Sequence, residues 1–182
     1  MKNLIIALIM LGFSSCRQKT VEDKRPADQM NFVKYVKELR DRVNAAGEDK
    51  TLRGNILDQG VIDVKVYVKD TLSLKFNKWQ AKVLEIKQNS QNPASTDVKL
   101  GMTIDPDNQS AEKAIVLSSS VIDAALSKTI KTLKTGDQVI VSGDYIEKKG
   151  FIDIDSYSRY KFSKNVFDNP EFKTNITAAE KL

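Results

Sequence analysis

Few side chains in this sequence are equipped for chemistry, and those few lie far apart. There is no histidine, which removes the commonest general base and the commonest metal ligand. Cys16 is the only cysteine, so no disulfide forms within the chain. The run Ser118-Ser119-Ser120 has no imidazole to activate it and no Gly-x-Ser-x-Gly turn around it; it reads as the start of a helix. Asp105, Asp107, Asn108 and Glu112 gather oxygen ligands, but an EF-hand loop needs glycine at its sixth position and glutamate at its twelfth. Those positions are Ser110 and Val116, so the stretch reads as a turn. Asp153 and Asp155 fall two apart on one face of an expected strand, on the solvent side, with no cleft to set them to acid–base work. The chain is therefore read as non-enzymatic, with no cofactor.

One constellation has a binding chemistry. Tyr157, Arg159, Tyr160 and Lys161, followed by Phe162 and Lys164, interleave rings and cations. A groove for single-stranded nucleic acid uses this interleaving, because bases stack on rings while cations track phosphates. An amphipathic last strand has the same pattern. The formal charge of +5 is a mild surplus of mixed sign, as in Lys34, Lys37, Glu38, Arg40, Asp41, Arg42, and a solvated surface accounts for it. Nucleic acid is not the expected partner.

The chain begins with a different kind of signal. Lys2 precedes an apolar run from Leu4 to Phe13, then Ser14, Ser15 and Cys16. A run of about ten residues is too short to span a bilayer, which takes roughly 20. The order is that of a secretory leader, residues 1–15, with the cysteine at the cleavage point. Phe13-Ser14-Ser15-Cys16 resembles the lipobox of bacterial lipoproteins, although that pattern prefers leucine where Phe13 stands. The resemblance implies lipidation of the Cys16 thiol, cleavage before it and acylation of the new terminus, so that several acyl chains hold the protein on a membrane. Arg17 follows the cysteine; the family uses aspartate there for inner-membrane retention, so the outer membrane of a bacterial envelope is favoured.

Residues 16–27 are almost wholly polar and read as a flexible tether. Residues 28–76 read as an extension of helix and strand. Phe32, Val36, Leu39 and Val43 fall on one helical stripe, with Asp28 as N-cap and Gly47 just past the end. Residues 50–60 read as a loop. Ile62, Val64, Val66 and Val68 alternate with polar residues and predict a strand; Leu72, Leu74 and Phe76 alternate again, which predicts a hairpin.

From 77 to 163 the pattern becomes short strands around one helix. Strands are expected at about 78–88, 97–105, 113–118, 138–146 and 150–156, and a helix at about 120–134 capped by Ser119 or Ser120, with Ile122, Leu126, Ile130 and Leu133 as its apolar stripe. Trp79, Ala81 and Val83 share one face and Leu84 and Ile86 the other, a phase switch that a β-bulge produces. This order resembles the OB-fold, a five-stranded Greek-key barrel with its helix between the third and fourth strands. Leu133-Lys134-Thr135-Gly136-Asp137-Gln138-Val139-Ile140-Val141-Ser142-Gly143 is similar to the segment that joins helix to fourth strand in many OB-folds. Within that fold the chain looks most like the anticodon-binding-like group found in bacterial envelope proteins of unassigned role. The fold class is thus mainly β with α: a small OB-like barrel, an N-terminal helix and strand extension, and a tail, residues 164–182, that wraps the barrel and frays. The barrel is expected to bind an envelope protein, peptide or glycan on the face of its second and third strands. The alternative is an assembly subunit that docks through residues 28–76.

Overall fold

The computed structural model describes residues 24–104, 113–148, 150–154 and 165–182. Three helices and a closed five-stranded barrel account for most of them.

The first helix, α1, runs Ala27–Ala45 and buries Phe32, Val36, Leu39 and Val43, the stripe read from the sequence. Gly47 follows its last turn at φ +57°, a left-handed conformation that costs glycine nothing. Asp28 lies inside the first turn rather than at the cap, and its carboxylate accepts from Trp79 Nε1 at 2.9 Å.

The second helix corrects the sequence reading. Lys50–Val66, expected as a loop and a strand, is α2, and it continues as one π-helical turn over Tyr67–Thr71. Asp49 caps it, accepting from Leu52 N at 2.9 Å. The segment carries two periods at once. Ile62, Val64, Val66 and Val68 alternate, but Leu57, Val61, Val64 and Val68 are spaced by four, three and four, and these are the residues that are buried. The surface of α1 decides between the two periods, since it offers a helix stripe to pack on and no strand to pair with. Gly60 lets the Phe167 ring lie against α2: a Cβ there would be 2.9 Å from that ring. The expected hairpin over 72–76 is absent; Leu72 to Leu74 turn the chain directly into the barrel.

The barrel strands are β1 Lys75–Gln88, β2 Thr96–Thr103, β3 Ala114–Val121, β4 Gln138–Tyr145 and, after a two-residue hairpin of β5 Glu147–Lys148 and β6 Phe151–Ile152, β7 Glu171–Lys181. They close in the order β1-β2-β3-β7-β4, with β3 and β7 parallel and the other neighbours antiparallel. This is the OB-like barrel. β1 serves two neighbours, β4 with its first half and β2 with its second, and shifts register between Val83 and Glu85 where the phase switch predicts a bulge.

The fifth strand is a second correction. The described part of 150–156 forms only the small hairpin and a single bridge from Ile154 to Phe172. The strand that closes the barrel is β7, inside the segment expected to wrap and fray. Closure there requires Gly143: a Cβ at that position would meet the Asn175 carbonyl oxygen at 2.3 Å.

The third helix, α3, is Ala124–Thr132, between β3 and β4 as expected but shorter. Its cap is Asp123, which accepts from Leu126 N at 2.7 Å; Ser118, Ser119 and Ser120 belong to β3 instead, and Ile122 is exposed. α3 closes one end of the barrel with Ile130 and a buried Thr96–Ser127 hydroxyl pair at 2.7 Å. α1 closes the other end: Phe32 is fully buried against the rings of Trp79, Tyr145 and Phe172. Burial of one such ring contributes roughly 1.5–3 kcal/mol. Among the described residues no helix is long and apolar enough to cross a membrane.

Candidate binding groove

The outward side chains of β2, β3 and the start of β7 form the floor of a groove of about 590 Å³. Alternation along the strands sets its chemistry. Val98, Leu100 and Leu117 point into the barrel, so Asp97, Lys99, Ser118 and Ser120 point out. Register then places charges beside their opposites. Glu85 lies across from Lys99, Lys99 across from Ser118, and Ser118 across from Lys173; one step along, Lys87 lies across from Asp97 and Asp97 across from Ser120. Such cross-strand pairs each contribute a few tenths of a kcal/mol, up to about 1.

The cations of this face are occupied. Lys87 Nζ is 3.0 Å from Glu85 Oε1, Lys99 Nζ 2.9 Å from Glu171 Oε2, and Lys173 Nζ 3.4 Å from Glu171 Oε1. Asp97 accepts from Ser120 Oγ at 2.5 Å and from Asn89 Nδ2 at 2.9 Å. Burial alone would raise the Asp97 carboxyl, but the Ser120 and Asn89 hydrogen bonds and the nearby Lys87 and Lys173 charges hold it below its ordinary value. Glu171 is likewise held down: its desolvation is outweighed by Lys99, by the neighbouring Ser118 hydroxyl and by Lys173. Carboxylates held ionised in this way are weak proton acceptors and good hydrogen-bond acceptors.

The groove overlies a seam in the barrel. β3 and β7 pair only over Val116–Ser118 and Glu171–Lys173. Side chains then take over from the backbone ladder. Ser118 Oγ donates to the Phe172 carbonyl at 3.3 Å, Thr174 Oγ1 donates to the Ser118 carbonyl at 3.2 Å, and Ser119 Oγ accepts from Ile176 N at 3.3 Å. The walls add two exposed isoleucines, Ile122 and Ile146, and the carboxylate of Asp153. The result is a trough with fixed charges of both signs, hydroxyls along its floor and apolar edges.

Tyr157, Arg159, Tyr160 and Lys161 lie outside the described residues, as do Asp105, Asp107, Asn108, Glu112, Asp155 and Cys16. Of the expected sites, the serine run is at the groove, as floor rather than helix cap. Glu85, Lys87, Asp97 and Lys99 escaped the sequence reading although their alternation marked them as outward. Glu171 and Lys173 carry no such mark, because the sequence reads their strand as a tail. Among the described residues no group of three or more His, Cys, Asp or Glu side chains is placed to hold a metal ion. No protein-family model matches the chain, and no curated protein or solved structure matches it either.

Proposed function

We propose that this is a non-enzymatic, lipid-anchored protein of a bacterial envelope, anchored at Cys16 to the outer membrane, whose barrel binds an extended polar ligand, a peptide segment or glycan of the envelope, in the groove over β2, β3 and β7. The observation that carries the reading is the groove itself. Its floor is a fixed lattice of donors and acceptors on strands rather than loops, so a ligand pairs with it at little conformational cost. The carboxylates are held ionised by lysines and hydroxyls, which suits recognition and not proton transfer. The anchor rests on the leader-like first 15 residues and on the resemblance of Phe13–Cys16 to a lipobox.

Two measurements test this. Full-length chain probed on peptide and glycan arrays should find a ligand whose binding falls at least tenfold in Lys99→Glu and in Asp97→Lys; a ligand indifferent to both charge reversals would place recognition elsewhere. Cys16→Ser should move the protein out of the membrane fraction and leave it unprocessed; an unchanged membrane pool of unchanged mass would end the lipoprotein reading.

A second reading, an assembly subunit of an envelope complex, is favoured by one observation. α2 leaves Leu52, Ile62 and Val66 exposed on its outer side. Sedimentation that shows a concentration-dependent mass, abolished by Ile62→Lys, would move the function from the groove to this helix.

A further inference from the structure

The wall of the barrel around the β1–β4 seam, across from β3, differs from the groove in charge. The first half of β1 pairs with β4 and turns Lys75, Lys78 and Lys82 to solvent. Beside them lies Lys24, whose carbonyl accepts from Gln80 Nε2 at 3.2 Å. None of these four ammonium groups forms an ion pair within 4.0 Å among the described residues. The facing β4 residues Gln138 and Ile140 are uncharged, and Asp144 faces Lys75. In the groove, by contrast, Lys87, Lys99 and Lys173 all have carboxylate partners.

The same wall is where the chain comes in. Asp28 holds the Trp79 indole at 2.9 Å, and the Gln29 side chain pairs with the backbone of Gln80 through both its oxygen and its nitrogen. These bonds fasten the start of α1, and hence Lys24, to β1. Seven residues separate Cys16 from Lys24; the eight steps between the two reach about 29 Å at most when fully extended. An anchor at Cys16 therefore keeps the wall of Lys24 and β1 close to the bilayer. The closed order β1-β2-β3-β7-β4 sets β3, at the centre of the groove, across the barrel from the β4–β1 seam, with β2 and β7 as the flanking strands between them.

We propose that the face formed by Lys24, Lys75, Lys78 and Lys82 docks on anionic lipid headgroups of the membrane that carries the anchor, and so presents the β2–β3–β7 groove away from that membrane. The proposal rests on the lipid anchor for its geometry. Its chemistry is ammonium groups that have no carboxylate partner among the described residues set against phosphate, an attraction that each lysine strengthens about fivefold and that salt screens within about 10 Å.

The test uses the lipidated full-length protein in vesicles of phosphatidylcholine, with and without 30% phosphatidylglycerol. Since the acylated Cys16 is the only natural cysteine, Gln138→Cys on the basic wall and Ile122→Cys at the groove edge can each carry a single fluorophore. Quenching by headgroup-labelled lipid should be strong at 138 in the anionic vesicles, weak at 122, and lost at 138 in 0.5 M salt or in the Lys75→Gln/Lys78→Gln/Lys82→Gln variant. Equal quenching at both positions, stronger quenching at 122, or salt-insensitive quenching at 138 would overturn the proposal. Mass spectrometry of the purified protein scores the anchor separately. Should Cys16 prove unacylated, the unacylated full chain must still bind the anionic vesicles about 100-fold more tightly than the triple variant; equal binding would overturn the docking face as well.

Discussion

The Ser119 hydroxyl accepts a hydrogen bond from the Ile176 backbone N–H at 3.3 Å, just past the point where the β3–β7 ladder stops. Both residues are buried, with Ser119 at 7% exposure and Ile176 at 3%. A side chain from one strand thus satisfies a main-chain donor of the other, which lets the barrel close although its two parallel strands diverge.

Ser119→Ala removes that acceptor and leaves the donor without it in a buried setting, a loss of about 1–3 kcal/mol. Chemical denaturation should show it as a lower midpoint with an unchanged slope. A variant as stable as the wild type would mean that the seam is held by the backbone ladder alone.

Gly143→Ala puts a methyl group against the Asn175 carbonyl and the Phe76 ring. The backbone there cannot yield without breaking β4–β7 pairing, so a destabilisation of about 2 kcal/mol or more is expected. Gly54, whose Cβ would meet nothing within 4 Å, is the control. It lies in α2, where alanine should stabilise by a few tenths of a kcal/mol to about 1.

Helix and strand make opposite demands on 62–66. In a strand, Ile62, Val64 and Val66 would share one face and respond alike. In α2, Val64 is 1% exposed and the other two are about half exposed. Val64→Lys should therefore cost more than 3 kcal/mol, whereas Ile62→Lys and Val66→Lys should each stay within about 0.5. Thermal melts of the three variants decide it.

Acid should weaken the groove face. Asp97 and Glu171 have folded-state pKa values below their ordinary 3.8 and 4.5. Their contribution is complete above those ordinary values and drains away as pH falls through the lower, folded-state values. Lys99→Met removes the main stabilising partner of Glu171, so its acid unfolding curve should be shallower below pH 4.5 than that of the wild type.

Much of the barrel was legible in the chain because its causes are local. Alternation at Val98, Leu100 and Met102, the stripe ending in Ile130 and Leu133, and the phase switch after Val83 each depend on residues within one strand or helix. The groove was legible in part: Asp97 and Lys99 occupy outward positions of a strand that the alternation reveals, whereas Ser118 and Ser120 read as a helix start, and the pairing of charges across strands depends on register, which no single strand encodes.

The sequence by itself determined the first four barrel strands with a helix between the third and fourth, α1 with its buried stripe, and the bulge in β1, since period and phase are properties of adjacent residues. Only the tertiary structure decided three things. Segment 57–68 carries both a two-residue and a helical period, and the surface of α1 selected the helix. The closing strand is 171–181, because Gly143 and Ser119 admit it beside β4 and β3. Lys75, Lys78 and Lys82, which form no ion pair among the described residues, gather on the first half of β1 beside β4, and Lys99 and Lys173, each paired with Glu171, gather around β3, a separation created when the barrel closed.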